Sequence, residues 1–316
     1  MTEKYQKNYT IESQKVLHFT FETFEGMKKY GKNWSFYDFF RYGTRPFKGQ
    51  YDICQHPNFQ IADTIYEDGL MYKGYAPKDT ITLAVIIKKK GSLISNKKLL
   101  NRHEVLVMDD VKEYETIFSH YVEIGTISMQ KTFVNTHFPY LNQKINKVYF
   151  DTDGLLTKMI HDVENNILCN ERSIESRLLK NIKYLSLDKQ AEISKKLSKK
   201  TFTVFTIRNY LIEHIEESIT VNDIASHFGI SDKTLQTSFK KIFGHTPKKF
   251  IKLLKLNLAY RDIIMNLGKK GSIAQIATKY GFTNFGLFSK EYKQMFGVLP
   301  SEMGGGNATL NDGSTG

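Results

Sequence analysis

The side chains most often recruited for chemistry occur in this 316-residue chain, but not in arrangements that perform it. His18, His56, His103, His120 and His137 are scattered without an H-x-H pair, and a three-ligand metal site needs convergence that such spacing does not predict. Cys54 and Cys169 stand far apart with no C-x-x-C partner, so neither a disulfide framework nor a thiolate cluster is expected. No G-x-S-x-G elbow, phosphate-cradling glycine loop or H-E-x-x-H motif occurs. The reading is no enzyme, no catalytic residue, no metal and no cofactor. What remains is a pair of side-chain sets near the carboxy terminus: Lys233, Gln236, Thr237 and Lys240, and Phe285, Gly286, Ser289 and Lys290. On a helix, each set falls on one side and is free to meet a partner.

The elements that must position these sets are legible as an internal repeat. Thr220-Val221-Asn222-Asp223-Ile224-Ala225-Ser226-His227-Phe228-Gly229-Ile230-Ser231 recurs 52 residues later as Ser272-Ile273-Ala274-Gln275-Ile276-Ala277-Thr278-Lys279-Tyr280-Gly281-Phe282-Thr283. Leu235, Phe239, Phe243, Gly244 and Pro247 then reappear as Phe288, Tyr292, Phe296, Gly297 and Pro300, at an offset of 53. Each copy has the logic of a helix-turn-helix. The small Ala225 or Ala277 lets a second helix cross closely. Gly229 or Gly281 stops the first helix where a left-handed backbone is favoured. Ile230 or Phe282 plugs the turn, and the hydroxyl of Ser231 or Thr283 is expected to cap the next helix. Between the copies, Pro247 opens and Gly268 closes a helix of about 30 Å. Successive major-groove faces of DNA are about 34 Å apart, so one chain can present two helices to adjacent grooves.

Charge is distributed to match. Residues 1–171 with 304–316 hold 22 Lys+Arg and 22 Asp+Glu; residues 172–200 hold 9 and 3; residues 201–303 hold 14 and 8. The whole excess of +12 lies in the carboxy-terminal part, as a polyanion-binding domain requires.

From about Ile207 to Ser301 the chain resembles the AraC/XylS family of bacterial transcription regulators. The resemblance is carried by Ile224-Ala225-x-x-Phe228-Gly229-Ile230-Ser231, by Leu235-Gln236-x-x-Phe239-Lys240-x-x-x-Gly244-x-x-Pro247, and by Ile276-Ala277-x-x-Tyr280-Gly281-Phe282 with Phe288-Ser289-Lys290-x-Tyr292-Lys293-x-x-x-Gly297-x-x-Pro300-Ser301. It implies a sequence-specific DNA-binding regulator, an activator, with double-stranded DNA and RNA polymerase as partners. Carried over by position, the DNA-binding residues of the first unit are Ser231, Lys233, Thr234, Gln236, Thr237 and Lys240. Those of the second are Thr283, Asn284, Phe285, Gly286, Ser289 and Lys290. Gln236 suits bidentate pairing with adenine and Lys233 donation to guanine. Thr237 stands where many relatives have arginine, which points to a thymine-methyl or water-mediated contact. Gly286 presents no side chain, so the second unit is expected to position more than it specifies. Lys240, Lys241 and Lys293, and the amides at the helix starts near Asn222 and Ser272, are candidates for phosphate. Met303 replaces a tyrosine common in relatives.

The amino-terminal part reads as short strands. A hairpin is expected at Phe59–Tyr66 and Leu70–Tyr75 around Glu67-Asp68-Gly69, with strands at Ile81–Ile87, Glu104–Met108, Tyr114–Phe118 and Val122–Met129. A small barrel or sandwich follows from that pattern, and the family's cupin-like sensory and dimerisation domain fits the barrel. Helical spacing then places one helix over 153–169 and a second capped at Ser173. These two could form the seam of a homodimer. The fold class is thus α+β and multidomain: residues 1–187 cupin-like, 188–203 a linker, 204–303 an all-α double helix-turn-helix, and 304–316 a disordered tail of the kind cloning appends. The aromatic load of the first domain allows a pocket for a small-molecule effector, with Arg41, Arg45 and Lys73 as anchors for a carboxylate. No apolar run of membrane-spanning length and no leader is read, so the expected location is the cytoplasm. Alternatives are a regulator controlled by abundance without an effector, and a cupin enzyme with a DNA-binding appendage.

Overall fold

The computed structural model describes residues 16–22, 27, 34–44, 47–165, 171–187, 198–217, 219–266 and 272–303. Among the described residues, ten strands form one antiparallel sheet: β1 (Val16–Phe21), β2 (Ser35–Arg41), β3 (Gly49–Gln55), β4 (Phe59–Tyr75), β5 (Thr80–Lys89), β6 (Leu93–Ser95), β7 (Lys98–Leu99), β8 (Glu104–Asp109), β9 (Tyr114–Gln130) and β10 (Val148–Phe150). The main path runs β1-β3-β4-β9-β5-β8-β10, with β2 added to β4 and the short β6–β7 pair added to β9. The sheet curls: Phe21 of β1 and Leu106 of β8, from opposite ends of the path, line the same cavity.

Two strands differ from the sequence reading. Glu67-Asp68-Gly69 does not turn; β4 runs straight through it for 17 residues. β9 is likewise one strand of 17 residues, not two. They pair in a single register from Phe59↔Met129 to Gly74↔Tyr114. Gly69 is present because neighbouring backbone comes too close for a side chain: an added Cβ would lie 2.7 Å from the Ser119 carbonyl oxygen. Its own carbonyl accepts hydrogen bonds from the amides of Tyr42 and Gly43, at 2.9 and 3.0 Å.

Because side chains alternate between faces, this strand pair serves three cores. Leu70, Tyr66, Phe118 and Ile124 point into the curl. On the outer face, Ile61, Ile127 and Met129 pack against α1 (Lys131–His137), α2 (Leu155–Glu164) and α3 (Glu171–Leu187). Farther along that face, Met71 and Ile117 join the core of the helical domain. The expected helix over 153–169 is described as α2 to Glu164; Ile167 and Leu168 lie outside the described residues. α3 is described from Glu171, so Ser173, the expected cap, lies inside the helix instead of before it.

The helical domain comprises α4 (Lys199–Glu213), α5 (Val221–His227), α6 (Asp232–Phe243), α7 (Pro247–Met265), α8 (Ser272–Lys279), α9 (Phe285–Phe296) and α10 (Pro300–Met303). α4 starts inside the stretch read as a linker, with Ser198 accepting from the Thr201 amide. α7 opens on Pro247 with Thr246 as cap, as expected; Gly268 lies outside the described residues.

The two domains are joined by specific polar contacts around an aromatic plug. Tyr42 sits 5.2 and 5.3 Å, ring to ring, from Phe243 and Phe250. The buried amide of Asn257 accepts from Arg41 N at 2.8 Å and donates to Arg41 O at 2.9 Å, behaving like an adjacent strand. His245 donates to the Tyr42 carbonyl at 2.6 Å, and Ser92 donates to Ile242 O at 2.6 Å. Arg208 of α4 reaches Glu115 of β9 at 2.9 Å. Burial holds the His245 imidazole below its usual range, so it donates as the neutral ring. Asn257→Ala leaves a buried N–H and C=O of Arg41 without this partner; the expected cost is about 1–3 kcal/mol of unfolding free energy, measured by urea titration of the full chain.

Candidate nucleic-acid interface

The first unit is built as its residue pattern requires. Thr220 caps α5 through a reciprocal box in which Thr220 Oγ1 accepts from the Asp223 amide and Asp223 Oδ2 accepts from the Thr220 amide. Those hydrogen bonds hold the exposed Asp223 carboxyl below its ordinary range. Gly229 ends the turn at φ 60°, a conformation that L side chains rarely adopt. Ile230 packs on the core, Ser231 accepts from the Thr234 amide to cap α6, and Leu235 and Phe239 are fully buried beneath it.

The opposite face of α6 is open. Ser231, Lys233, Thr237 and Lys240 are exposed, while Thr234 and Gln236 are half-buried. The Thr237 hydroxyl donates back to the Lys233 carbonyl at 2.8 Å, which occupies its proton within the helix. Lys240 and Lys241, both exposed, form the basic last turn. The described contacts of the amino-terminal domain with α6 fall at its end, on Ile242 and Phe243.

The second unit shows where the two repeat offsets change over. Gly281 takes φ 76° as expected. The cap of α9, however, is Asn284, whose side chain accepts from the Leu287 amide at 2.9 Å; Thr283 lies one residue before it. One extra residue in this turn converts the offset of 52 into 53, and the cap moves with the helix. The equivalents of Lys233, Gln236, Thr237 and Lys240 are therefore Gly286, Ser289, Lys290 and Lys293. Lys290, Lys293, Phe285 and Gly286 are exposed and Ser289 is half-buried. Sequence reasoning missed Leu287, 48% exposed beside Phe285 at 47%. The offset of 53 was the available signal, since it sets Leu287 opposite Thr234.

Several cations of the domain are committed to holding the units together. Lys252 of α7 bonds Glu291 of α9 at 2.5 Å. Lys279 lies 3.0 Å from Asp262 and 3.3 Å from Glu216, and these partners raise its pKa. The helix starts near Asn222 and Ser272 differ as phosphate candidates: the first has part of its amide capacity taken by the Thr220–Asp223 box, and the side chain of Ser272 is not among those described.

Arg41 and Lys73, two of the residues named for an effector, are placed apart from the cavity. The curled sheet encloses about 60 Å³ lined by Trp34, Tyr51, Tyr66, Tyr72, Thr116, Ser95 and further apolar groups. Arg41 is buried at the domain contact, its cation 5.3 Å from the Phe47 ring, with its pKa lowered to about 10 by burial. Lys73 lies 3.5 Å from Glu115. Neither lines the cavity, and Arg45 lies outside the described residues. No helix among the described residues is long and apolar enough to cross a membrane.

A family model described as a helix-turn-helix domain matches residues 224–304. Among curated proteins, a probable thc operon regulatory protein of Rhodococcus erythropolis is 35% identical over 94 residues, 30% of this chain and 28% of that protein. A XylDLEGF operon transcriptional activator of Pseudomonas putida is 31% identical over 93 residues, 29% of this chain and 59% of the relative. The chain thus spans less than two thirds of either. Among solved structures, the AraC-like transcriptional activator CuxR aligns over 68% of this chain and 82% of its own, at 13% identity and a TM-score of 0.38.

Asn284→Ala is expected to cost about 1 kcal/mol of stability as a lost helix cap, and Thr283→Ala only a few tenths; thermal melts of the two variants distinguish the assignments.

Proposed function

With a carboxy-terminal domain of the AraC/XylS type as premise, we propose that this chain is a sequence-specific DNA-binding transcription regulator that reads two adjacent major grooves. The observation that carries it is the tandem of α6 and α9. Each is capped at the same place in the repeat, each is buried on one side by equivalent apolar residues, and each leaves the equivalent face exposed. In this reading Gln236 pairs with adenine, Lys233 with guanine, and the Thr237 methyl meets a thymine. The second helix contributes Lys290 and Lys293 toward phosphate or guanine, with Phe285 and Leu287 against thymine methyls. Asn284 and Ser231 fix the helix starts, while Thr234, Thr283, Gly286 and Ser289 lie at the contact surface. Lys240 and Lys241 take phosphate.

The activator role rests on the P. putida relative, which is itself named a transcriptional activator; RNA polymerase is the partner it implies. Cytoplasmic location and homodimerisation through α2 and α3 belong to the same proposal.

The effector reading changes in chemistry. Among the described residues the cavity lining holds aromatic rings and the hydroxyls of Thr64, Ser95, Thr116 and Thr126, and no charged side chain. Burial raises the phenols there, Tyr72 to about 12, so they too remain neutral. A small uncharged, largely apolar effector fits this lining better than a carboxylate. Thr116, inside the cavity, is followed by Ile117 in the core of the helical domain, so a ligand displaces residues one peptide away from that contact.

The test is selection of genomic DNA fragments by the full chain at about 150 mM salt, which suppresses non-specific phosphate binding. Two short enriched blocks about one helical turn apart are expected; the absence of a motif, with and without cell metabolites, rejects the reading. Gln236→Ala is expected to cost about 1–3 kcal/mol on that site and to relax preference at one base position. Lys240→Ala should weaken all sequences alike and lower the salt slope by about 1. For the effector, melts with neutral aromatic and with carboxylated probes of equal size should show stabilisation by the neutral set alone, abolished in Thr116→Phe.

A further inference from the structure

A cluster outside both the reading faces and the cavity brings together two carboxylates and an imidazole. Asp63 on β4, Glu123 on β9 and His161 on α2 each offer a ligand atom, and these atoms lie within 4.8 Å of one another. His161 Nε2 is 3.7 Å from Glu123 Oε1. The sheet explains the convergence. Asp63 faces Gly125 across the β4–β9 ladder, and Glu123 is two residues from Gly125, so both carboxylates project from the same outer face. Gly125 lets α2 approach that face: an added Cβ would stand 2.3 Å from Ile160 Cδ1. His161 follows Ile160 and is delivered to the carboxylates.

Both carboxylates are buried, Asp63 to 4% and Glu123 to 7% exposure, whereas His161 remains 40% exposed. Two like charges taken out of water at this spacing require positive charge close by. Tyr121 donates its hydroxyl to Glu123 Oε2 at 2.8 Å, and Lys88, paired with Glu123 across β5–β9, extends over the Tyr121 ring instead.

We propose that Asp63, Glu123 and His161 bind a divalent first-row transition ion. The donor set is two hard oxygens and one imidazole nitrogen, without thiolate, which suits Zn²⁺, Fe²⁺ or Mn²⁺. Ligand atoms about 2.0–2.2 Å from such an ion lie roughly 3–4 Å apart, close to the spacing present. The exposed side of His161 leaves the remaining positions to water. Bound there, the ion neutralises the carboxylates and fastens α2 to the middle of the β4–β9 pair, between the cavity and the helical hairpin of α2 and α3. The site lies on the outside of the sheet and is separate from the effector cavity.

The test uses the full chain, stripped with chelator, and measures Zn²⁺ binding by calorimetry together with thermal melting. Mg²⁺ serves as a control for non-specific charge neutralisation. One equivalent of Zn²⁺ is expected to bind and to raise the melting temperature, with Mg²⁺ ineffective. Asp63→Asn and His161→Gln should each weaken that binding by about tenfold or more and remove the thermal shift. Both replacements preserve shape closely, and melts without metal report whether each folds. Substitution by Co²⁺ gives a second readout, with visible absorption bands of oxygen–nitrogen ligation that the variants lose. Zn²⁺ binding that survives both substitutions places the ion on other histidines and overturns the proposal. So does an absence of binding at micromolar Zn²⁺.

Discussion

Everything else in the molecule hangs on the unbroken pairing of β4 with β9. Seventeen residues in each strand give a two-stranded ribbon of roughly 55 Å in contour. A ribbon of that length can bury one face in the curl and divide the other between two separate helical cores. Its pitch of two residues fixes which side chain goes where. Met71 and Ile117 reach the helical domain, while their neighbours Tyr72 and Thr116 line the cavity. A slip of one residue would exchange those roles at every position, so register and domain arrangement are one constraint.

The helical domain answers with rigidity of a different origin. Its two units are nearly identical in their turn chemistry, but what sets them relative to each other is α7 and the contacts that reach it. Lys252 ties the middle of α7 to α9 through Glu291, and Asp262 near its end gathers Lys279 and the Tyr280 hydroxyl. Surface ion pairs are individually weak. Here they join elements whose apolar faces already meet, as in the stack of Tyr260 on Phe296 at 4.4 Å, and so orient more than they stabilise.

What could be read from the residues alone follows from how local the governing physics is. Helix-turn-helix units are specified by short-range rules: an alanine at a crossing, a glycine at positive φ, a hydroxyl at a cap. Those rules located both units, including the left-handed Gly229 and Gly281. They erred at Thr283 because an inserted residue shifts a cap without disturbing composition. The reading of Glu67-Asp68-Gly69 as a turn failed for a non-local reason. Turn formers carry a turn signal unless a neighbouring strand holds them extended, and β9, some fifty residues away, does so here. The same distance hid the Asp63–Glu123–His161 cluster and the commitment of Lys73 to Glu115. Charge asymmetry, by contrast, needs no fold to be counted: the excess lies in residues 172–303.

The domain contact bears on how a signal from the sheet would reach DNA. Among the described residues its polar bonds end on α4, α6, the turn after α6, and α7: Arg208, Ile242, His245, Asn257 and Arg261. All but Arg261 belong to or flank the first unit, and the described residues leave the reading face of α6 exposed. On the proposed function, regulation by simple occlusion of that face is therefore the wrong picture. A ligand in the cavity would act through Ile117 and Met71 on the seat of the first unit, and through α7 on the angle between the two. The energetics permit this. Moving a two-state equilibrium from 1:99 to 99:1 takes about 5.5 kcal/mol of differential binding. Each buried hydrogen bond at the contact carries about 1–3 kcal/mol if left unmade. Rearranging the Asn257 pair and the Arg208–Glu115 bridge is enough to cover that range, so the coupling needs no movement larger than the loss or exchange of a few named bonds.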